Sequence, residues 1–309
     1  MPTAMPDPEQ RGANSAHPGH RAPVYTAFRL RVGNTGHTMM AMIADLPLLV
    51  FTDIDGTLID HDTYRWDAAA PALRKLRDIG AGVVLASSKT AAEIVELRDA
   101  LDLTRWPAIV ENGGGVLAAG AQTTDDTARY AELRAILAKT PPALRTHYRG
   151  FGDMDVSQIA AVTGLSHEAA ALAAHRDYSE PGLWSGTDTQ RDHFLDFLAS
   201  HSISAREGGR FLTLSFGGTK ADRMIEITSQ YQAKHTVALG DAPNDIEMLE
   251  AADFGIVVAN PHSATLPPLS GEDSGKIIRT TARGPDGWNI AMLDLIARLE
   301  LKEGRTLHG

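Results

Sequence analysis

Along this chain, short continuous apolar runs alternate with segments whose apolar residues recur every three or four positions. Leu48-Leu49-Val50-Phe51, Val83-Val84-Leu85-Ala86, Ala108-Ile109-Val110, Thr236-Val237-Ala238-Leu239 and Gly255-Ile256-Val257-Val258 are runs of the first kind. That pattern predicts strands buried on both faces of a parallel sheet. Between them the spacing is helical: Ala68 to Ile79 carries Leu73, Leu76 and Ile79 in register and is stopped by Gly80. Thr90 to Leu101, Lys220 to Tyr231, Asp245 to Ala251 and Trp288 to Leu299 read as further helices. Such alternation builds a doubly wound, Rossmann-like α/β domain around a parallel sheet.

From about Val116 to Phe216 the alternation loosens. Helices are expected near Ala128 to Lys139, Ser157 to Arg176 and Thr189 to His201, with strands around Leu183-Trp184 and Phe211 to Ser215. This predicts an α+β domain, residues 116–215, inserted into a core made of 46–115 and 216–303. In open α/β sheets the ligand binds beyond the carboxyl ends of the strands, so an insert there roofs the crevice. Residues 1–45 are rich in Pro, Gly, His and Arg, lack periodicity and read as an unstructured tail. Arg11, Arg21, Arg29 and Arg31 hint at a transit peptide, but no amphipathic stripe accompanies them. A true start at Met39, Met40 or Met42 fits as well.

Composition narrows the chemistry. The 309 residues are 43% hydrophobic and carry a net charge of -10, which disfavours nonspecific binding to nucleic acid or anionic membrane. With no cysteine, disulfides, thiolate metal sites and thiol nucleophiles are excluded, leaving oxygen-based chemistry. The same absence fits a reducing compartment, and no apolar run approaches the ~18 residues of a membrane span. A cytoplasmic protein is the expectation; oligomeric state is not legible.

Polar motifs fall where the predicted core strands end. Asp53-Ile54-Asp55-Gly56-Thr57 follows the first strand; residues two apart point the same way, so both carboxylates can converge above the sheet edge. One carboxylate can act as a covalent nucleophile in phosphoryl transfer while its neighbour exchanges a proton with the leaving oxygen. Gly240-Asp241-Ala242-Pro243-Asn244-Asp245 follows a second strand. Four acids at two strand ends repel one another unless a cation joins them, and hard oxygen donors suit Mg²⁺. Ser87, at a third strand end ahead of a helix, can donate to a phosphate oxygen. Lys220, after Gly217-Gly218-Thr219, can neutralise one.

In their order these motifs resemble the haloacid dehalogenase superfamily of aspartate-based phosphohydrolases: Asp53-x-Asp55-Gly56-Thr57, Ser87, Lys220, and Gly240-Asp241-x-x-Asn244-Asp245 match its four motifs over residues 47 to about 300. An insert between the second and third motifs is similar to a type IIB cap. The resemblance implies Asp53 as nucleophile, Asp55 as general acid and base, Ser87 and Lys220 as phosphoryl holders, and Asp53, Asp55, Asp241 and Asp245 around Mg²⁺. Phe51-Thr52-Asp53, Ser88-Lys89-Thr90, Glu111-Asn112-Gly113-Gly114-Gly115, Gly150-Phe151-Gly152-Asp153, Arg176-Asp177-Tyr178-Ser179-Glu180 and Gly208-Gly209-Arg210-Phe211 are similar to mannosyl-3-phosphoglycerate phosphatases.

That resemblance implies a small phosphorylated sugar-glycerate substrate and a compatible solute, mannosylglycerate or its glucosyl counterpart, as product. Arg176 and Arg210 are then candidates for the glycerate carboxylate, and Glu180, Asp153 and Asn112 for sugar hydroxyls, with Gly113 and Asn244 also substrate-binding. The chain departs from the pattern at Ala242-Pro243, where a serine often follows the first acid, and at Ser87, where threonine is frequent. Sucrose or trehalose phosphate as substrate, a phosphomutase, and a noncatalytic phospho-sensor stay open. A sensor, however, gains nothing from the second carboxylate, which hastens hydrolysis.

Overall fold

The computed structural model describes residues 46–124 and 128–301; the tail expected over 1–45 lies outside them. The chain enters the core with β1 (Leu49–Thr52), which has a parallel neighbour on each side and is buried throughout. α1 (Ala70–Asp78), β2 (Gly82–Ala86), α2 (Ala91–Ala100) and β3 (Ala108–Val110) follow in the expected rhythm. β4 (Gly115–Leu117), which the sequence pattern does not reveal, turns back antiparallel to β3 at the sheet edge.

The next segment builds a separate sheet. α3 (Ala128–Leu137) and α4 (Pro142–Arg145) precede β5 (Tyr148–Gly150), and α5 (Val156–Thr163) and α6 (His167–Ala173) precede β6 (Ser179–Trp184). The single helix expected over 157–176 is therefore two: Gly164 closes α5 in the left-handed conformation, and Ser166 caps α6. α7 (Asp188–Ala199), β7 (Ser204–Gly208) and β8 (Phe211–Ser215) complete a four-stranded antiparallel sheet in the order β5-β6-β8-β7. Leu212 and Leu214 of β8 share a core with Leu133 and Leu137 of α3 and Phe194 and Leu198 of α7. This sheet's apolar face is thus the one covered by those two helices.

The chain then returns to the first sheet through α8 (Lys220–Tyr231), β9 (Thr236–Gly240), α9 (Ile246–Ala251), β10 (Phe254–Ala259), β11 (Ile277–Arg283) and α10 (Gly284–Arg298). The resulting seven-stranded sheet, ordered β11-β10-β9-β1-β2-β3-β4, is parallel except for β4. The fold class is thus the expected one, a parallel core with a separate antiparallel cap. β11 was hidden in the sequence because only its alternate residues are shielded, and α10 begins four residues early, at Gly284. Fully buried Trp288 of α10 donates its indole N–H to the hydroxyl of Thr52, the last residue of β1, at 3.0 Å. Among the described residues, no helix is long and apolar enough to cross a membrane.

Arg98 of α2 is buried, and its guanidinium donates to the carbonyls of Trp106 (3.1 Å), Ala118 (2.9 Å) and Ala121. It thereby organises the segment that leaves β4 for the second sheet. Arg98→Met should lower the unfolding free energy by about 3 kcal/mol, since charged hydrogen bonds vanish and buried carbonyls lose their donor. Urea titration monitored by tryptophan fluorescence measures it, and a loss under ~1 kcal/mol would show that those carbonyls find other partners.

Candidate active site

Register brings the polar motifs together. β1 pairs with β9 at Thr52↔Leu239 and with β2 at Thr52↔Leu85, so Asp53, Gly240-Asp241 and Ser87 emerge along one edge. The Asp53 amide donates to the Leu239 carbonyl at 2.8 Å, carrying the parallel ladder one residue further and fixing the direction in which its side chain leaves. β1, flanked by β9 on one side and β2 on the other, occupies the position where such sheets open a crevice.

Lys220 is the first residue of α8 and is almost wholly buried. Thr219 caps that helix with its hydroxyl on the Asp222 amide, and Asp222 returns its carboxylate to the Thr219 amide. The cap points the Lys220 side chain back into the crevice, where Nζ lies 2.6 Å from Asp53 Oδ1 and 2.7 Å from Asp245 Oδ1. Burial pulls the ammonium's pKa down, but Asp245 and Asp53 outweigh it and the net shift is upward. Asp53 moves well above the ordinary carboxylate range, chiefly through burial and then through Asp245 and Asp241, against the pull of Lys220.

One carboxylate oxygen from each of Asp53, Asp241 and Asp245 lies within 4.8 Å of the others. Asp241 is held by the Thr57 hydroxyl on Oδ1 (2.6 Å) and by Asn260 Nδ2 (2.8 Å) and the Ser263 hydroxyl (2.5 Å) on Oδ2. Asp245 Oδ2 accepts the Asp241 and Ala242 amides at 3.1 and 3.0 Å, which leaves Oδ1 to Lys220. Gly56 has φ +83, and a Cβ there would fall 2.1 Å from Asn260 Nδ2; only glycine lets this turn approach so closely. Three carboxylates facing one ammonium, all hard oxygen donors, make a set that fits a divalent cation such as Mg²⁺.

Asp55 lies two residues beyond Asp53. Lys89 Nζ pairs with its Oδ2 at 2.9 Å, while its buried Oδ1 has no hydrogen-bond partner in the protein. Burial lowers the Lys89 pKa, but Asp55 and Glu93 more than compensate and hold it above its usual value. Ser87 is buried, and its hydroxyl accepts the Lys89 amide at 3.2 Å. Asn112 Oδ1 receives Asn244 Nδ2 at 2.9 Å, and the Gly113 carbonyl receives Arg223 Nε at 3.1 Å. Asp53, Asp55, Ser87, Asn112, Gly113, Lys220, Asp241, Asn244 and Asp245 are therefore gathered by the same strand-end loops.

The remaining expected residues are placed otherwise. Glu180 is fully buried inside the second sheet and accepts from Tyr130 OH (2.5 Å), Arg134 Nη1 (2.5 Å) and the Gly152 amide (3.0 Å). Burial raises its pKa against those donors. Asp153 takes Arg134 at 2.6 Å and both Arg145 contacts at 2.8 and 2.7 Å; its pKa is lowered because these bonds overcome burial. Both acids thus serve an internal network. Arg210 sits at the β7–β8 turn, at the opposite end of β8 from the connection to Lys220, and donates to the Val162 carbonyl. Arg176 lies at the seam between the sheets, donating to Ala173 O and Ser88 O, both at 3.0 Å.

Asn260, Ser263 and the roles of Lys89 and Thr57 escaped the sequence reading. Asn260 directly follows β10, so the rule that picked out Asp53 and Asp241, polar residues just past an apolar run, could have found it. Lys89 gives no such signal.

A family model for haloacid dehalogenase-like hydrolases matches residues 50–142 and 188–266, more than half of the chain, which therefore belongs to that family. Among solved structures it is similar to a haloalkanoate-superfamily phosphatase from Bacteroides thetaiotaomicron at 17% identity and TM-score 0.56, with 87% of this chain and 100% of the other covered. A haloacid dehalogenase-like hydrolase from the same organism aligns at 18% identity and TM-score 0.59, covering 81% and 100%. The sucrose-phosphatase of Synechocystis, solved with sucrose and phosphate, aligns at 16% identity and TM-score 0.55, covering 82% and 98%. At these identities the likeness is one of fold.

The raised Asp53 pKa has a measurable consequence for stability. A carboxyl whose folded pKa exceeds its unfolded value stabilises fully below the unfolded pKa, near 3.8, and that contribution is lost as pH rises through the folded value. A bound divalent cation reverses the penalty. The Tm gain from Mg²⁺ should therefore grow as pH rises from the acid side of that window to neutrality, and it should shrink in Asp241→Asn. Differential scanning fluorimetry reads it; a gain independent of pH in both proteins would detach the cation from these carboxylates.

Proposed function

We propose that this protein is a Mg²⁺-dependent phosphatase that hydrolyses mannosyl-3-phosphoglycerate, or its glucosyl counterpart, through an aspartyl-phosphate on Asp53. The observation that carries the reading is the paired geometry of Asp53, one oxygen held by Lys220 and the other left to react, with the buried Oδ1 of Asp55 two residues along the same loop. In this family reading Asp53, Asp241, Asp245 and the Asp55 carbonyl hold Mg²⁺, which supplies charge neutralisation to the phosphoryl oxygens.

Asp53 attacks phosphorus in line. The bond from phosphorus to the glycerate oxygen breaks, and Asp55 gives its proton to that oxygen. Asp55 then takes a proton from water, the resulting hydroxide attacks the aspartyl-phosphate, and phosphate leaves as Asp53 is regenerated. Lys220 and the Ser87 hydroxyl hold the transferring group, so that positioning and electrostatics provide most of the acceleration. Lys89 anchors Oδ2 of Asp55 and leaves Oδ1 for the proton transfers.

The sugar-glycerate assignment is supported by the segments around Asn112, Asp153, Arg176, Glu180 and Arg210. Of these, Asn112 is bonded to Asn244 and Arg176 to the Ser88 carbonyl next to Ser87, so in this reading glycerate recognition falls to Arg176, with Glu180, Asp153 and Arg210 shaping the second sheet behind it. The Synechocystis neighbour, solved with sucrose and phosphate, favours sucrose phosphate as the second reading.

Phosphate release from mannosyl-, glucosyl- and unmodified 3-phosphoglycerate and from sucrose phosphate, with and without Mg²⁺, ranks the substrates. Label from the substrate should end in inorganic phosphate; label retained in a sugar phosphate would indicate a mutase. Asp53→Asn should lower turnover by on the order of 10⁴-fold or more with an unchanged circular dichroism spectrum. Retained activity would remove Asp53 from the nucleophile role.

A further inference from the structure

A second buried acid belongs to no part of the reaction above. Glu111 follows β3, and its side chain is fully enclosed. It and Asn112 have φ of +50 and +58, a conformation that non-glycine residues seldom adopt and that persists only where surrounding contacts hold it. The Glu111 carboxylate accepts the amides of Asp177 (2.8 Å), Tyr178 (3.3 Å) and Ser179 (2.8 Å) and the Ser179 hydroxyl (2.6 Å). All four donors lie at the entry to β6, an interior strand of the second sheet. The Arg176 guanidinium stands 3.9 Å away, and Thr124, on the segment leading to that sheet, donates to the Asp177 carboxylate at 2.7 Å.

The same two residues are bonded to the crevice through other atoms. The Glu111 amide donates to the Lys89 carbonyl at 2.9 Å, the Asn112 amide donates to the Ser87 carbonyl at 2.8 Å, and the Asn112 side chain accepts from Asn244. One strained pair thus joins the second sheet to the loops that carry Ser87 and Asp245.

The sheet's orientation makes this joint consequential. Cross-strand register sets Ser179, Ser215, Thr213, Ser204 and Arg206 on one face, opposite Leu212 and Leu214, which meet α3 and α7. From that polar face Arg206 reaches Glu247 of α9 at 3.4 Å, so the face is turned toward the core.

We infer that Glu111 is a positioning residue: by gripping the start of β6 it fixes the distance between the polar face of the second sheet and the phosphoryl crevice, and so the length of phosphoester that fits between them. The kinetic side of this inference rests on the phosphatase reading; the geometric side does not.

The chain has no cysteine, so Asp192→Cys on α7 and Gln230→Cys on α8, both at exposed positions, give a clean spin-label pair across the two sheets. Double electron-electron resonance should give one narrow distance distribution with Glu111, and a shifted or broadened one in Glu111→Gln, whose amide group meets a cluster of N–H donors. For mannosyl-3-phosphoglycerate, KM should rise on the order of tenfold, the value of one charge-assisted hydrogen bond, while kcat/KM for p-nitrophenyl phosphate stays unchanged. Ser179→Ala, which deletes one donor and keeps the carboxylate, should show the same split to a smaller extent and carries the test if Glu111→Gln does not fold. An unaltered distance distribution in a folded variant, with both substrates falling in parallel through kcat, would overturn the inference. If the unmodified protein ignores the sugar-glycerate, the substrate reading fails, and the distance measurement still decides this one.

Discussion

Everything at the crevice depends on one ammonium among several carboxylates. Three acids brought within one ion's reach at the edge of a sheet repel strongly in a medium that water screens poorly, and Lys220 is the cation that lets them stay. Its position follows from a helix start: the reciprocal Thr219 and Asp222 cap fixes the first turn of α8, and the first residue of that turn is the lysine. The balance is incomplete, since one positive charge faces three acids; Asp53 is shifted upward chiefly by burial, and its two acidic neighbours add to that shift against the pull of Lys220. A site left short of positive charge is suited to recruiting more of it from a metal ion.

The surrounding polar groups serve to hold these carboxylates still. Asp241 has three side-chain donors, Asp245 has two backbone amides, and Asp55 has Lys89. A carboxylate tied at one oxygen keeps the other in a defined place, and a reaction that relies on positioning and electrostatics needs that constraint more than it needs further reactive groups. The second sheet follows the same logic on its own terms. Glu180 and Asp153 are satisfied by Tyr130, Arg134 and Arg145, and this network, buried at Glu180 and open to solvent at Asp153, braces β5 and β6.

The connection between the two sheets is made of similar material. Arg98 gathers the carbonyls of the outgoing segment, Thr124 reaches Asp177, and Glu111 collects consecutive amides at the start of β6. Thr90 adds its hydroxyl on the Leu172 carbonyl, bringing α6 against α2. Polar groups buried at a seam are expensive to leave unpaired, so each bond both joins the sheets and limits their relative movement.

Much of this was legible in the sequence, because burial on both faces writes a continuous apolar run and a parallel ladder puts the residue after each run on one edge. Asp53, Ser87 and Asp241 could be placed together on that ground alone. The second sheet was less legible: its strands bury one face, several are short, and β5 and β7 carry no continuous apolar signal. Tertiary structure alone decided which polar residues face one another. Asp153 and Glu180 looked like groups awaiting a ligand until Arg134 was found between them, and Arg210 was carried by its turn to the far end of β8. Lys89, Asn260 and Ser263 acquired partners far from them in sequence, and Glu111 became a seam residue by meeting a strand 66 to 68 positions away. Periodicity reports how much of an element is shielded from water; it says nothing of which buried donor will find which buried acceptor, because that depends on distances fixed only when the two sheets pack.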